Sequence, residues 1–259
     1  FPWDCDVPQV SSEEKQALVL QEMRALIGQP TLEAGRYLWK RFSEFVDIAA
    51  VAGCFYYYHR NPSEPKGEQK EAFVVFPIEV ALSPEGLSKE WIDSQRIRLT
   101  EEWGLEPITF GITGNLYSTF EWESLQSLIP SRGQLDEYWC DDNLRLLTER
   151  QRFMSFVDID KKLSDQQLLS ISEQLGTPFL VADSTRGHHL LLPLIFDSHL
   201  DPSIQDKVYP KIGCVLGMGW EEHRYLWHSL ERGMSSVRVT PGLQRPEVPT
   251  VSAVVWDGG

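Results

Sequence analysis

Apolar residues recur along this chain with two different periods, and the switches between them divide it into short helices and strands. Leu18, Leu20, Met23 and Leu26 fall at helical spacing after Ser11-Ser12-Glu13-Glu14, where Ser11 as N-cap and Glu14 three residues on form a capping box. That helix stops near Gly28-Gln29-Pro30, and Thr31 starts a second one carrying Leu38, Trp39, Phe42, Phe45 and Val46. Residues 52–59 read as a strand, and Ala72 to Ile78 as another. The polar loop between them, Asn61 to Gln69, allows the two to pair as a hairpin. Alternating burial accounts for the cluster Phe55-Tyr56-Tyr57-Tyr58 more simply than base stacking does. Ser83-Pro84-Glu85-Gly86 then turns into a helix over about 88–103. Short strands are expected at 107–111 and 115–120, followed by a helical stretch, a loop at Arg132-Gly133 and a polar helix near 143–150.

The second half is patterned more sharply. Phe153 to Ile159 reads as a strand, Ser164 opens a helix that Gly176 ends, and Phe179 to Ala182 is a second strand. The turn Asp183 to Gly187 leads to a third strand, His188 to Leu194. A helix over about 204–216 and short strands at Val237-Arg238-Val239 and Val251 to Val255 complete the set. Strand-helix-strand-strand-helix-strand is the order of a ferredoxin-like or RRM-like module. The fold class expected is α+β, with a helical and mixed α/β region over 1–105 and an RRM-like module over 106–259.

With 259 residues, 42% hydrophobic and 24% charged, the chain can bury a sizeable core. No apolar run is long enough to span a bilayer, and Phe1-Pro2-Trp3-Asp4-Cys5 has neither the basic nor the apolar region of a signal peptide. A cytoplasmic location is expected, without membrane partners. Cys5, Cys54, Cys140 and Cys214 are scattered without CxxC spacing, which argues against a zinc site and a disulfide framework. The net charge of −14 weighs against a general nucleic-acid binder. It is unevenly placed, at −11 over residues 1–150 and −3 over 151–259. The second half therefore tolerates phosphate, whereas the acidic first half suits a protein partner better than DNA.

Candidate chemistry gathers in that second half. In Phe156-Val157-Asp158-Ile159-Asp160 the strand period puts both aspartates on one face, with Cα atoms roughly 6–7 Å apart. Two carboxylates at that reach can share divalent cations, since Mg²⁺ takes one or two carboxylates and completes its shell with water and substrate phosphates. The turn Ser184-Thr185-Arg186-Gly187 offers backbone N–H groups and a guanidinium to phosphate oxygens. His188 and His189, which leave that turn, point to opposite faces, and His189 is the one expected to function. Arg238 precedes a Pro-Gly turn at Pro241-Gly242. His223 and His228 are off the spacing of paired helical metal ligands, and Trp220 and Trp227 read as core.

Taken in order, acid-x-acid, Ser-x-x-Gly-x-His and Arg-x-x-Pro-Gly, these motifs resemble the catalytic core of the archaeo-eukaryotic primase (primase-polymerase) superfamily, over about residues 106–259 and more loosely from 51. The resemblance implies an RRM-like catalytic module facing a smaller α/β module, with Mg²⁺ or Mn²⁺ on Asp158 and Asp160. It implies that Ser184, Arg186 and His189 hold the triphosphate of an incoming nucleoside triphosphate, and that Arg238 approaches the phosphates or a third acid. The activity implied is template-directed strand initiation or extension. The chain departs from the pattern over Tyr225 to Met234, where the family's further metal-binding acid is expected and no Asp occurs. Glu231 is the nearest acid and the candidate third ligand, while His228 stands at about the expected place. The lysine that follows the Pro-Gly turn in the family is also missing, with Arg245 as its stand-in. Two alternatives stand beside the polymerase reading. One is a diverged primase-like domain that serves as a nucleotide-binding or protein-interaction subunit of a replication, repair or defence assembly. The other is a metal-dependent nuclease using the same acids.

Overall fold

The computed structural model describes residues 13–59, 70–103, 105–128, 138–140, 152–196, 208–217, 235–242 and 246–256. The helices are α1 (Glu13–Arg24), α2 (Thr31–Ser43), α3 (Ile78–Leu82), α4 (Lys89–Trp103), α5 (Thr119–Leu128), α6 (Asp165–Leu175) and α7 (Tyr209–Leu216). The strands are β1 (Ala50–His59), β2 (Lys70–Pro77), β3 (Leu105–Tyr117), β4 (Tyr138–Cys140), β5 (Arg152–Ile159), β6 (Phe179–Asp183), β7 (His188–Phe196), β8 (Ser236–Arg238) and β9 (Thr250–Val255). The protein is α+β, and these strands form one sheet in the order β4-β2-β1-β3-β5-β7-β6-β9, with β8 paired to β3. Every paired neighbour is antiparallel, including the expected β1–β2 hairpin.

Alternation along β5 feeds two cores. Met154 and Phe156 enter one that α2 closes with Ala34, Leu38, Trp39 and Phe42, and α4 with Ile92 and Leu99. Phe153, Val157 and Ile159 enter the other, closed by Leu168, Ile171 and Leu175 of α6 and by Tyr209, Ile212 and Leu216 of α7. A strand buried on both faces must be apolar at consecutive positions, and each such side chain contributes about 1.5–3 kcal/mol. Ser164 caps α6 in a reciprocal box with Gln167, and Gly176 ends it in the left-handed conformation, as the sequence suggests. A third, smaller core lies under α5, where Trp122 and Leu125 cover Ala50, Ala52, Val75 and Tyr117. Phe55 is fully buried and stacks on Phe110 at 4.7 Å between ring centroids, while Tyr56 shares a hydrogen bond with Ser236.

The two short strands expected at 107–111 and 115–120 are one strand, β3, and Phe120 belongs to α5. Gly111 and Gly114 resemble breaks in the sequence, yet each is a point of close backbone approach. A Cβ on Gly111 would press on the carbonyl of Val237, and one on Gly114 would land on that of Met154. Here β3 leaves β5, which it meets only at Asn115↔Phe153 and Leu116↔Arg152. β8 takes the vacated edge through Gly111↔Arg238, Ile112↔Val237 and Thr113↔Ser236. Ser235 bridges to β5 by accepting the Phe156 N–H at 3.1 Å. The boundary expected at 105/106 falls at the first residue of β3, and it is crossed both by the sheet and by the core that joins Trp39, Phe55 and Phe76 to Phe110, Phe156 and Leu191. β2 ends at Pro77, one residue early, because Ile78 begins α3.

The cap at Ser11, the loop at Arg132-Gly133, the helix at 143–150, Trp220, Trp227, His223 and the start of the helix expected from 204 lie outside the described residues. Among the described residues no helix is long and apolar enough to cross a membrane. Replacing Gly114 with Ala drives a methyl group into the Met154 carbonyl; the expected loss, read from urea unfolding, is about 1–3 kcal/mol or more.

Candidate functional site

Asp158 is the residue at which the face of β5 shared with Phe156 stops being apolar. The register sets it opposite His189 on β7, and His189 in turn opposite Ala182 on β6. The three residues thus form a row across the sheet, on the face away from α6 and α7. His189 Nε2 lies 3.4 Å from Asp158 Oδ1, with the imidazole fully buried and the carboxylate 24% exposed. The histidine therefore sits beneath the acid and the acid reaches the surface. Asp160 is exposed and is the first residue past the end of β5.

The β6–β7 turn is packed onto that same end. Ser184 donates its N–H to the Gly187 carbonyl at 3.1 Å and accepts the Gly187 N–H on its hydroxyl at 3.1 Å. A Cβ on Gly187 would strike the Ile159 carbonyl and the Lys161 nitrogen, so only glycine lets the turn lie directly against β5. Ser184 is buried within the turn, whereas Thr185 and Arg186 are exposed above it. The acids, His189 and the Ser184–Gly187 turn are thereby gathered at one end of the sheet.

Arg238 is engaged differently. Val237 joins the core that Phe156 shares, so strand alternation sends Arg238 toward the other face. It is 8% exposed, and its Nη1 donates to the carbonyls of Thr240 and Glu247, each at 2.8 Å. It thus fastens the segment after β8. Glu231, His228 and Arg245 lie outside the described residues.

Among the described residues no group of three His, Cys, Asp or Glu side chains could hold a metal ion. Asp158 and Asp160 are an all-oxygen, solvent-reaching donor pair. That chemistry fits a hard cation which completes its coordination with water and phosphate oxygens.

The sequence reading passed over a second cluster, on the other face of the same hairpin. Asp183 and His188 are register partners flanking the turn. His188 Nδ1 lies 3.1 Å from Asp183 Oδ1, and Lys162 Nζ donates to the same oxygen at 2.8 Å. The signal was present as an acid and a histidine bracketing a four-residue turn, positions that face each other in any hairpin of that length.

Burial lowers the pKa of His188 below the ordinary histidine value, the Lys162 ammonium adds to this, and the Asp183 carboxylate opposes it. The folded state therefore favours the neutral ring, while the unfolded chain takes up its proton near 6.5. The stability contribution of His188 is complete above about 6.5 and is lost as the pH falls from there toward the lower folded-state value. Thermal unfolding of His188→Asn is expected to show a smaller drop in Tm than the parent protein as the pH passes from above to below 6.5.

No family model matches this chain, and searches of the curated proteins and of the solved structures return no match.

Proposed function

We propose that this protein is a metal-dependent nucleotidyltransferase of the primase-polymerase type, initiating or extending a nucleic-acid strand from NTPs or dNTPs on a template. The observation that carries the reading is the Asp158–His189 contact at 3.4 Å, at the sheet end where the Gly187 turn rests on β5. The strand arrangement supports it. β5, β7 and β6 are antiparallel neighbours with α6 and α7 packed on one face, and Ser235, just before β8, accepts the Phe156 N–H of β5; these features support an RRM-like reading of the second half. Asp158 occupies the opposite face.

On this reading Asp158 and Asp160 hold Mg²⁺ or Mn²⁺. When bound, the ion supplies Lewis acidity toward the attacking 3′-hydroxyl and neutralises charge on the triphosphate. His189, buried beneath Asp158, fixes the orientation of that carboxylate. Arg186, exposed on the turn, pairs with the β- and γ-phosphates. Ser184 keeps the turn closed, so that its backbone dipoles stay aimed at the anion. The 3′-oxygen bonds to the α-phosphorus as its proton passes to solvent, the bond from the α-phosphorus to the bridging oxygen breaks, and pyrophosphate leaves with the electrons of that bond.

One observation favours a second reading, a diverged primase-like subunit that binds nucleotide without turnover: no three-ligand metal group occurs among the described residues. Purified protein given Mn²⁺, template and NTPs or dNTPs is expected to form extended product. Asp158→Ala and Asp160→Ala should each lower the rate about 100-fold or more, the scale of several kcal/mol of transition-state charge stabilisation. Absence of product from the parent protein removes the activity claim. Calorimetric nucleotide binding that is unaffected by Asp160→Ala then assigns the subunit role, and shortened rather than lengthened labelled DNA assigns a nuclease.

A further inference from the structure

We propose that Asp183, clamped by Lys162 and His188, is a positioning residue for the Asp158/Asp160 carboxylate pair. The proposal rests on the reading of that pair as a cation site.

Asp158 is held by its strand, whereas Asp160 lies one residue beyond β5 and takes its place from the segment that follows. That segment is tied at each step. The Ile159 carbonyl and the Lys161 nitrogen abut Gly187. Lys161 Nζ reaches the Leu216 carbonyl at the end of α7 at 3.5 Å. Lys162 Nζ donates to Asp183 Oδ1 at 2.8 Å, and Leu163 is buried in the core beneath α6. Among the described residues, the Lys162–Asp183 pair is a charged side-chain tie between this segment and the β6–β7 hairpin, beside the burial of Leu163 in the core shared with Val181 and Leu190. The hairpin also carries His189 and Arg186. The β5–β7 pairing and the Gly187 contact set the hairpin against β5, and the Asp183 carboxylate ties the segment that carries Asp160 to that hairpin.

The anchor is built rather than incidental. The Asp183 oxygen that meets Lys162 also lies 3.1 Å from Nδ1 of His188, and the His188 side chain is only 9% exposed. The register Asp183↔His188 sets that contact by backbone pairing. The nearly buried ring thus lies against the same carboxylate oxygen that Lys162 meets. Lys162 and Asp183 are themselves about half exposed, so the pair adds little to global stability. Its effect is local, on where Asp160 sits. Groups behind a metal's carboxylate ligands commonly change affinity by about 10–100-fold when removed.

The test uses the full chain and Mn²⁺ alone, with bound ion counted by electron paramagnetic resonance and backbone amide exchange followed in parallel. The parent protein is expected to bind Mn²⁺, and Asp158→Ala to abolish binding. Asp183→Asn and Lys162→Met are each expected to weaken binding about tenfold with Tm little changed, and to speed amide exchange over residues 160–163. Lys162→Arg, which keeps the charge, should retain most of the affinity. Unchanged exchange over 160–163 in Asp183→Asn overturns the clamp whether or not metal binds. Accelerated exchange with unchanged Mn²⁺ affinity overturns its role toward the acids. A parent protein that binds no Mn²⁺, or binds it regardless of Asp158→Ala, removes the cation-site reading and this proposal with it, even where the exchange result shows that the clamp orders the loop.

Discussion

Burial of β5 on both faces is the constraint on which the rest of this structure depends. Phe156 and Val157 are consecutive and fully buried, one beneath α2 and α4 and the other beneath α6 and α7. A strand in that position has no solvent side, so a polar residue within it must be paired or must mark the point where the cover ends. Asp158 does both. It faces a buried histidine across the β5–β7 ladder and still reaches solvent. The acid is therefore placed by the limits of the core and not by a loop. This is why its partner on β7 is also fixed: hairpin pairing of β6 with β7 and of β7 with β5 sets Ala182, His189 and Asp158 in one row.

The parting of β3 from β5 supports this placement. Two glycines allow β3 to run close to the backbones of β5 and β8. β8 then enters beside β5, with Ser235 answering the Phe156 N–H that β3 no longer meets. The unpaired donor of a central strand is satisfied by a side chain, and the sheet stays continuous. Arg238 follows from the same arrangement. Its neighbour Val237 is taken into the core, and the guanidinium binds the carbonyls of Thr240 and Glu247, fastening the chain as it leaves the sheet. An arginine that the resemblance implies for phosphate is engaged here with backbone carbonyls.

Much of the second half was legible because its signals are local. The Ser164 start of α6, the glycine that ends it, the apolar run of β5 and the adjacent histidines on opposite faces each depend on a few adjacent residues. Glycines were misread where their reason is distant. Gly111 and Gly114 look like breaks until Val237 and Met154 are seen against them, and those partners lie 126 and 40 residues away. The same limit hid the Lys162–Asp183–His188 cluster. Asp183 and His188 could be paired from the turn length, but nothing in the sequence shows that the loop after β5 returns to the same carboxylate. Of the candidate site, the residues on the strands came through from alternation, and the contacts that hold them to one another did not.

Charge decides how such a site could hold a polyanion. The chain carries −14 overall, and the segment around the acids adds three cations, Lys161, Lys162 and Arg186. Two of these are committed: Lys161 reaches the carbonyl end of α7, and Lys162 neutralises Asp183. Among the described residues, a triphosphate arriving beside Asp158 and Asp160 would then meet two carboxylates and one exposed guanidinium. At comparable distances two carboxylates repel phosphate more than one solvated arginine attracts it. On the proposed reading, cations on the two acids are therefore a condition for the nucleotide to bind at all, and not only for the chemical step. The acids are the cause of the repulsion and also the means of relieving it, which makes metal and nucleotide mutually dependent ligands of one site.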